Sequence, residues 1–195
     1  MQLPTHPGTQ VIETGRLRLR RFRPEDAPAA FANWTNSAEV CRHLQWAPHG
    51  TVQATRDVLE RWIARYDNPA CYHWCIALRG SDEAIGALEF VALSEHNRWA
   101  EAGYCLGRAW WGQGIMTEAL RAVVDFAFTR TPLHRIEARH SVKNPASGRV
   151  MEKAGMTYEG TARGRSLVHG AFVDTTQWAI LREDWEAAYP AAKEN

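Results

Sequence analysis

The segment best equipped for chemistry runs from Tyr104 through Cys105, Leu106, Gly107, Arg108, Ala109, Trp110, Trp111, Gly112, Gln113, Gly114, Ile115 and Met116 to Thr117. A strand-like run ends, two glycines stand two apart, and a helical pattern begins at once. Gly112 and Gly114 admit backbone conformations that side chains disfavour, and they let a ligand approach the main chain. A helix start presents N–H groups without intrahelical partners, together with the positive end of the helix dipole. This combination suits a phosphate or pyrophosphate. The glycine pair taken alone fits a tight strand-to-helix turn without a ligand better. No Lys-Ser/Thr follows Gly114, as a nucleotide P-loop requires. Thr117 stands where a dinucleotide fingerprint has its third glycine.

The other reactive side chains form no comparable set. Cys41, Cys71, Cys75 and Cys105 lack the spacing of a disulfide framework. Cys71 and Cys75 flank a strand-like run with His73 and read as buried thiols, so no metal is expected. His134, His140 and His169 stand on or near strands without partners in sequence, and read as structural. Arg16, Arg18, Arg20, Arg21 and Arg23 read as a solvated strand face. Glu118 and Arg121, at i and i+3, read as a pair supporting a helix.

The elements that position these residues follow from periodicity and punctuation. Residues 16–22 alternate with period two and predict a strand. Pro24-Glu25-Asp26 predicts a helix start running to about Trp34, with a short helix after Ser37. Thr51 is a plausible N-cap for a helix on which Val52, Val58, Leu59, Trp62, Ile63 and Tyr66 recur, stopped by Asn68-Pro69. Residues 72–78 and 84–93 predict a hairpin, and 99–106 a third strand. A long helix is expected from about Gln113 to Thr129, burying Leu120, Val123, Val124, Ala127 and Phe128. A strand over 135–140, a short helix over 146–154 ended by Gly155, and a final hairpin around His169-Gly170 complete the chain. The order β-α-α-β-β-β-α-β-α-β-β predicts an α/β fold (α+β, mixed sheet). One domain is expected over residues 1–195, with 1–12 a loose arm.

Composition narrows the partners. The chain has 195 residues, with 23 Lys+Arg against 22 Asp+Glu and a net charge of +1. That balance argues against nucleic acid and anionic membranes, which select a basic surplus. No signal-peptide core stands in residues 1–10 and no apolar run reaches the ~20 residues of a membrane span, so a cytoplasmic protein is expected. Nine tryptophans are unusual; such side chains favour cores, interfaces and ligand clefts.

The glycine turn and its surroundings resemble the GNAT family of N-acetyltransferases over about residues 12–187. Trp111-Gly112-Gln113-Gly114-Ile115-Met116 is similar to the family's acetyl-CoA motif, Gln/Arg-x-x-Gly-x-Gly/Ala. Trp111 replaces the first residue of that motif and Met116 the last. The stretch WWGQGIMTEAL, preceded by AEAGYCL and followed by NPASGRVMEKAGMTYEG, resembles the RimJ/RimL-like branch. That branch acetylates protein N-termini and includes many small-molecule enzymes. Asn144, Ser147, Lys153, Gly155, Glu159 and Gly160 carry the later part of the match. The resemblance implies the acyl-CoA N-acyltransferase fold, with acetyl-CoA as the cofactor. It implies that the backbone amides of Gln113, Gly114, Ile115, Met116 and Thr117 hold the pyrophosphate. It also implies that Tyr104, Cys105 and Leu106 pair with pantetheine and that Asn144 bonds to it. Trp111 is expected to brace the turn by packing.

Acetyl transfer to an amine requires a base for the amine proton, polarisation of the thioester carbonyl, and a proton for the departing thiolate. The resemblance implies Glu101 as the base, with Glu159 as its rival; Glu89, on the neighbouring strand, is a third possibility. Ser147 is implied as the acid, or serves only as the cap of the helix near 146. Tyr104 and Tyr158 are phenol alternatives. The expected acceptor is a protein N-terminal amine, attacked in a ternary complex. A small amine (amino acid, polyamine or antibiotic) and a non-catalytic acyl-CoA-binding module are the alternatives. Trp46, Tyr66 and Trp178 are candidates to shape the acceptor cleft, and a homodimer is a reasonable expectation.

Overall fold

The computed structural model describes residues 6–189. Eight strands build one sheet: β1 (Ile12–Glu13), β2 (Leu17–Arg20), β3 (His73–Leu78), β4 (Ala84–Ser94), β5 (Trp99–Leu106), β6 (Arg135–Ser141), β7 (Thr157–Val168) and β8 (Ala171–Leu181). Their order is β1-β2-β3-β4-β5-β6-β8-β7. Every neighbouring pair is antiparallel except β5 and β6, which run parallel. Helices cover both faces. One face carries α1 (Ala27–Ala30), α2 (Ala38–Cys41) and α3 (Val52–Ile63); the other carries α4 (Ile115–Arg130), α5 (Pro145–Lys153) and α6 (Arg182–Ala188).

Two cores follow from strand alternation, since successive side chains point to opposite faces. Leu17, Leu19, Trp74, Ile76, Leu88 and Ala102 pack under α4 with Leu120, Val123 and Phe128. Cys75, Ala77 and Ala87 face the other way, under Ala27, Ala30, Trp34 and Leu59. The central strands are therefore apolar on both sides, which is why β3 reads as a nearly continuous hydrophobic run. Thr51 caps α3 as expected, accepting from the amide of Ala54.

Several expectations are corrected. Arg20 is not part of a solvated face: it is 3% exposed. Its guanidinium donates to both carboxylate oxygens of Asp26, each at 2.8 Å, and to Asp82 at 2.9 Å. A charge at that depth requires such partners. Glu118 pairs with Arg16 on the edge of β2 rather than with Arg121. The helix after Pro24 is composite: a 3-10 turn, α1, then a π-helical turn over Phe31–Thr35. In the expected arm, Thr9 is buried. Its hydroxyl donates to the Cys71 carbonyl and accepts from the His73 amide, satisfying backbone groups at the start of β3. Residues 1–5 of that arm lie outside the described residues. Helix α6 was not expected. Asp184 caps its first turn, and Arg182 donates to the carbonyls of Phe128 in the last turn of α4 and of Thr131 and Leu133 just after it.

The feature that makes a site is a failure of pairing. β5 and β6 are in register only from Trp99–Arg135 to Ala102–Ala138. Beyond that point the strands diverge, and the edge of β5 facing the gap has no strand partner.

Candidate active site

A cleft of about 410 Å³ opens in that gap. It is bounded by the ends of β5 and β6, the turn before α4, the first turns of α5, and α2 with the residues after it. Eleven of the residues expected from the sequence line it together: Tyr104, Cys105, Leu106, Trp111, Gly112, Gly114, Ile115, Met116, Thr117, Asn144 and Ser147.

The turn is built to expose backbone. Gly114 adopts φ +74 and Gly112 φ +73, in the left-handed region where a side chain is strained. α4 starts at once, with Gly114 as an N-cap that supplies no side-chain acceptor. The side chains of Ile115, Met116 and Thr117 are buried, so their backbone amides are what this turn offers. The turn is held from outside the cleft. Arg16 donates to the Gln113 carbonyl at 2.9 Å and is itself fixed by Glu118. The Gln113 side chain returns to the Ala109 carbonyl, and Gln113 is not among the cleft-lining residues. Trp111 braces the turn by a hydrogen bond: its indole N–H donates to the Leu106 carbonyl at 2.8 Å. That carbonyl is therefore already engaged.

Ser147 does not cap α5. Asn144 is the residue before the helix, and Ser147 sits within its first turn. The Ser147 Oγ lies 2.8 Å from the Tyr104 hydroxyl, joining α5 to β5 across the cleft. Burial pushes the Tyr104 phenol well above its ordinary range, partly offset by the bond to Ser147. Tyr104 is therefore a neutral donor at physiological pH. No hydrogen bond within the described residues uses the side-chain amide of Asn144, which is left free at the cleft wall. Burial also pushes the Cys105 thiol up to about 12, so it is not a nucleophile.

The remaining expected residues lie elsewhere. Glu101 is 8% exposed, and both of its oxygens accept from Arg139, at 2.9 and 2.5 Å. Both oxygens of Glu159 accept from Arg135, at 2.7 and 2.5 Å, on the edge hairpin away from the cleft. Tyr66 cannot shape an acceptor cleft as expected. It is buried, its hydroxyl donates to the His73 carbonyl and accepts from the Phe22 amide, and Arg21 stacks on its ring. Trp178 faces the α4–α5 side, against Tyr158 and His140. Trp46 packs against His49 and the core under α1 and α3. Neither lines the cleft. Tyr158 is exposed and bonds to Thr161.

Some cleft residues were not expected. Arg139 and His140 on β6, Arg149 on α5, and Arg42 and His43 after α2 all line it. The strand alternation around residue 138 predicts opposite faces for Arg139 and His140, but only the splay makes both accessible. His140 Nδ1 lies 2.8 Å from the Ser141 carbonyl, while its Nε2 is buried without a partner. Among the described residues, no group of three or more His, Cys, Asp or Glu is placed to hold a metal.

A split parallel pair, an uncapped helix start and a hydroxyl pair thus meet at one cleft. Residues 16–157 match the profile of a family described as "Acetyltransferase (GNAT) domain", and the chain belongs to that family. It is an N-acetyltransferase with the mixed α/β fold of that family. Among its relatives, the uncharacterized N-acetyltransferase YoaA of Bacillus subtilis is 31% identical over 172 residues, covering 88% of this chain and 97% of YoaA. The [ribosomal protein uS5]-alanine N-acetyltransferase of Escherichia coli is 34% identical over 83 residues, 43% of each chain. Among solved structures, RimL, a ribosomal L7/L12 alpha-N-protein acetyltransferase in complex with coenzyme A, is similar with a TM-score of 0.77. It is 26% identical, over 88% of this chain and 98% of that one.

Proposed function

We propose that this enzyme acetylates the N-terminal amine of a protein, with acetyl-CoA held in the β5–β6 cleft. The observation that carries the reading is the convergence of an uncapped helix start, an unpaired β5 edge and the Tyr104–Ser147 pair on one cleft. The names of the ribosomal-protein acetyltransferases among its relatives support the N-terminal acceptor. When bound, acetyl-CoA supplies the activated acetyl thioester. The amides at 114–117 take the pyrophosphate, and the unpaired edge of Tyr104 and Cys105 takes the pantetheine amides, with the Asn144 amide facing them. Arg42 and Arg149 supply local positive charge, which a chain of net charge +1 must concentrate where it is used.

The Ser147 hydroxyl is the proton source for the departing sulfur. Tyr104 fixes its position and, being neutral, does not compete for the proton. A backbone N–H on the open edge of β5 polarises the carbonyl, in the manner of an oxyanion hole. The described residues share one sheet and work as one domain, and no helix among them is long and apolar enough to cross a membrane.

Thiol release from acetyl-CoA, measured against peptides with varied N-termini and a panel of free amino acids, polyamines and aminoglycosides, tests this reading. Turnover with peptides and not with small amines is expected. Turnover confined to a small amine overturns the N-terminal acceptor while leaving the transferase intact. Tight acetyl-CoA binding without turnover on any acceptor overturns catalysis.

A further inference from the structure

A carboxylate serves as a base only if its lone pairs are free and it reaches the amine. Around the cleft most are committed, and Glu39, which lines it, is paired with Arg108 at 2.7 Å. Glu101 and Glu159 are each held at both oxygens by one guanidinium, and Glu137 accepts from Arg135 at 2.9 Å. Glu89 differs. It sits on β4 opposite Gly103, one residue before the open edge of β5. Strand alternation places its side chain on the α1–α3 face, the face that Cys105 shares from the cleft wall. Its side chain is 27% exposed, and no hydrogen bond reaches its carboxylate within the described residues. Arg65 Nη1 lies 3.7 Å away and His73 Nδ1 3.8 Å away.

The surroundings keep this carboxylate ready. Burial raises its pKa, opposed by the charge of Arg65. His73, directly across on β3, is 1% exposed and wedged against Phe22 and Trp62. Burial lowers the His73 pKa to about 3, so the imidazole stays neutral and does not pin the carboxylate as a cation would. Its Nδ1 has no hydrogen-bond partner. The other titratable neighbours are the Cys71 and Cys105 thiols, both kept protonated by burial.

We propose that Glu89 is the general base, working from the α3 side of the sheet while Ser147 works from the α5 side. The inference rests on the transferase reading above. Glu89 does not itself line the cleft, so the ammonium of the acceptor gives one proton to its carboxylate through water, and Glu89 releases it to solvent. The N–C bond forms as the C–S bond breaks. The second nitrogen proton ends on sulfur, relayed by the Ser147 hydroxyl, which gives one proton and takes one back. Amide, thiol and one released proton balance ammonium and thioester.

The test is a pH profile of kcat/KM for Glu89→Gln, Glu101→Gln and Arg65→Met, using whichever acceptor the wild type turns over best. A small-amine acceptor therefore defeats the N-terminal reading without preventing this test. Because the ammonium hands its proton to the carboxylate, only the base must be ionised in the wild type, and log kcat/KM falls with slope one below the Glu89 break. Glu89→Gln is expected to lower kcat at least 100-fold, leave the KM for acetyl-CoA within twofold, and move the acid break up to that of the acceptor amine itself, which must then arrive neutral. Glu101→Gln is expected to keep the wild-type break. Arg65→Met is expected to move the lower break to higher pH, because the cation favouring the charged carboxylate is gone. Arg65 is half exposed, so this variant reads the same site without disturbing the core. The wild-type break persisting in Glu89→Gln, or its loss in Glu101→Gln instead, overturns the proposal.

Discussion

At the scale of the residue, Ser147 is the clearest case of a side chain whose role depends on one contact. Serine near the start of a helix reads as a cap from sequence, yet here its hydroxyl faces Tyr104 on another element. Ser147→Ala is expected to lower kcat by about 100- to 10,000-fold, in line with the usual worth of one positioned proton donor. The KM for acetyl-CoA should hold. Tyr104→Phe should cost less, since the serine remains, and steady-state kinetics separate the two. His73 makes a different prediction. Burial lowers its pKa from the ordinary 6.5 to about 3. Between those values the unfolded chain binds a proton that the folded chain refuses. Stability is therefore complete above about pH 6.5 and falls as the pH drops towards 3. His73→Phe removes this penalty and should move the acid-unfolding midpoint, followed by circular dichroism, to lower pH.

At the scale of the element, the turn between β5 and α4 is the part that sequence reveals best. Two glycines next to a helix start leave little else for the backbone to do, and both adopt the left-handed region. Gly114→Val would force a β-branched residue to φ +74, at a cost of about 1–2 kcal/mol. Its Cβ would also stand 3.7 Å from Nη2 of Arg16, the side chain that holds the turn. Calorimetric titration should show coenzyme A binding weakened at least tenfold; unchanged affinity would put the phosphates elsewhere. The same turn shows where sequence stops. The braces from Arg16 and Trp111 join residues that periodicity assigns to separate faces or to packing alone.

At the scale of the whole molecule, the buried Arg20–Asp26 pair fastens the helical layer of α1 to the sheet, with Asp82 completing the set. Arg20→Met leaves the Asp26 carboxylate buried without its partner, and urea unfolding should show a loss of about 3–5 kcal/mol. Replacing Asp26 by Leu in the same chain should recover much of it, because a buried apolar pair avoids the desolvation cost. The strand and helix order was legible in the sequence because alternation, helical spacing, caps and glycine punctuation are local signals. Thr51, Gly155 and the long apolar stripe of α4 each act within a few residues. The glycine turn was legible for the same reason. The choice among Glu89, Glu101 and Glu159 was not. All three read alike on strands, and only packing brings Arg139 to one, Arg135 to another, and leaves the third without a hydrogen bond. Tyr66 and Trp178 went the same way, since an aromatic on a periodic face does not state which neighbour covers it. The sequence by itself determined most of the elements, their order and the glycine turn, all set by short-range backbone chemistry. The tertiary structure alone decided which charges are spent on one another and where β5 and β6 part, because both depend on partners 24 to 38 residues away in the chain.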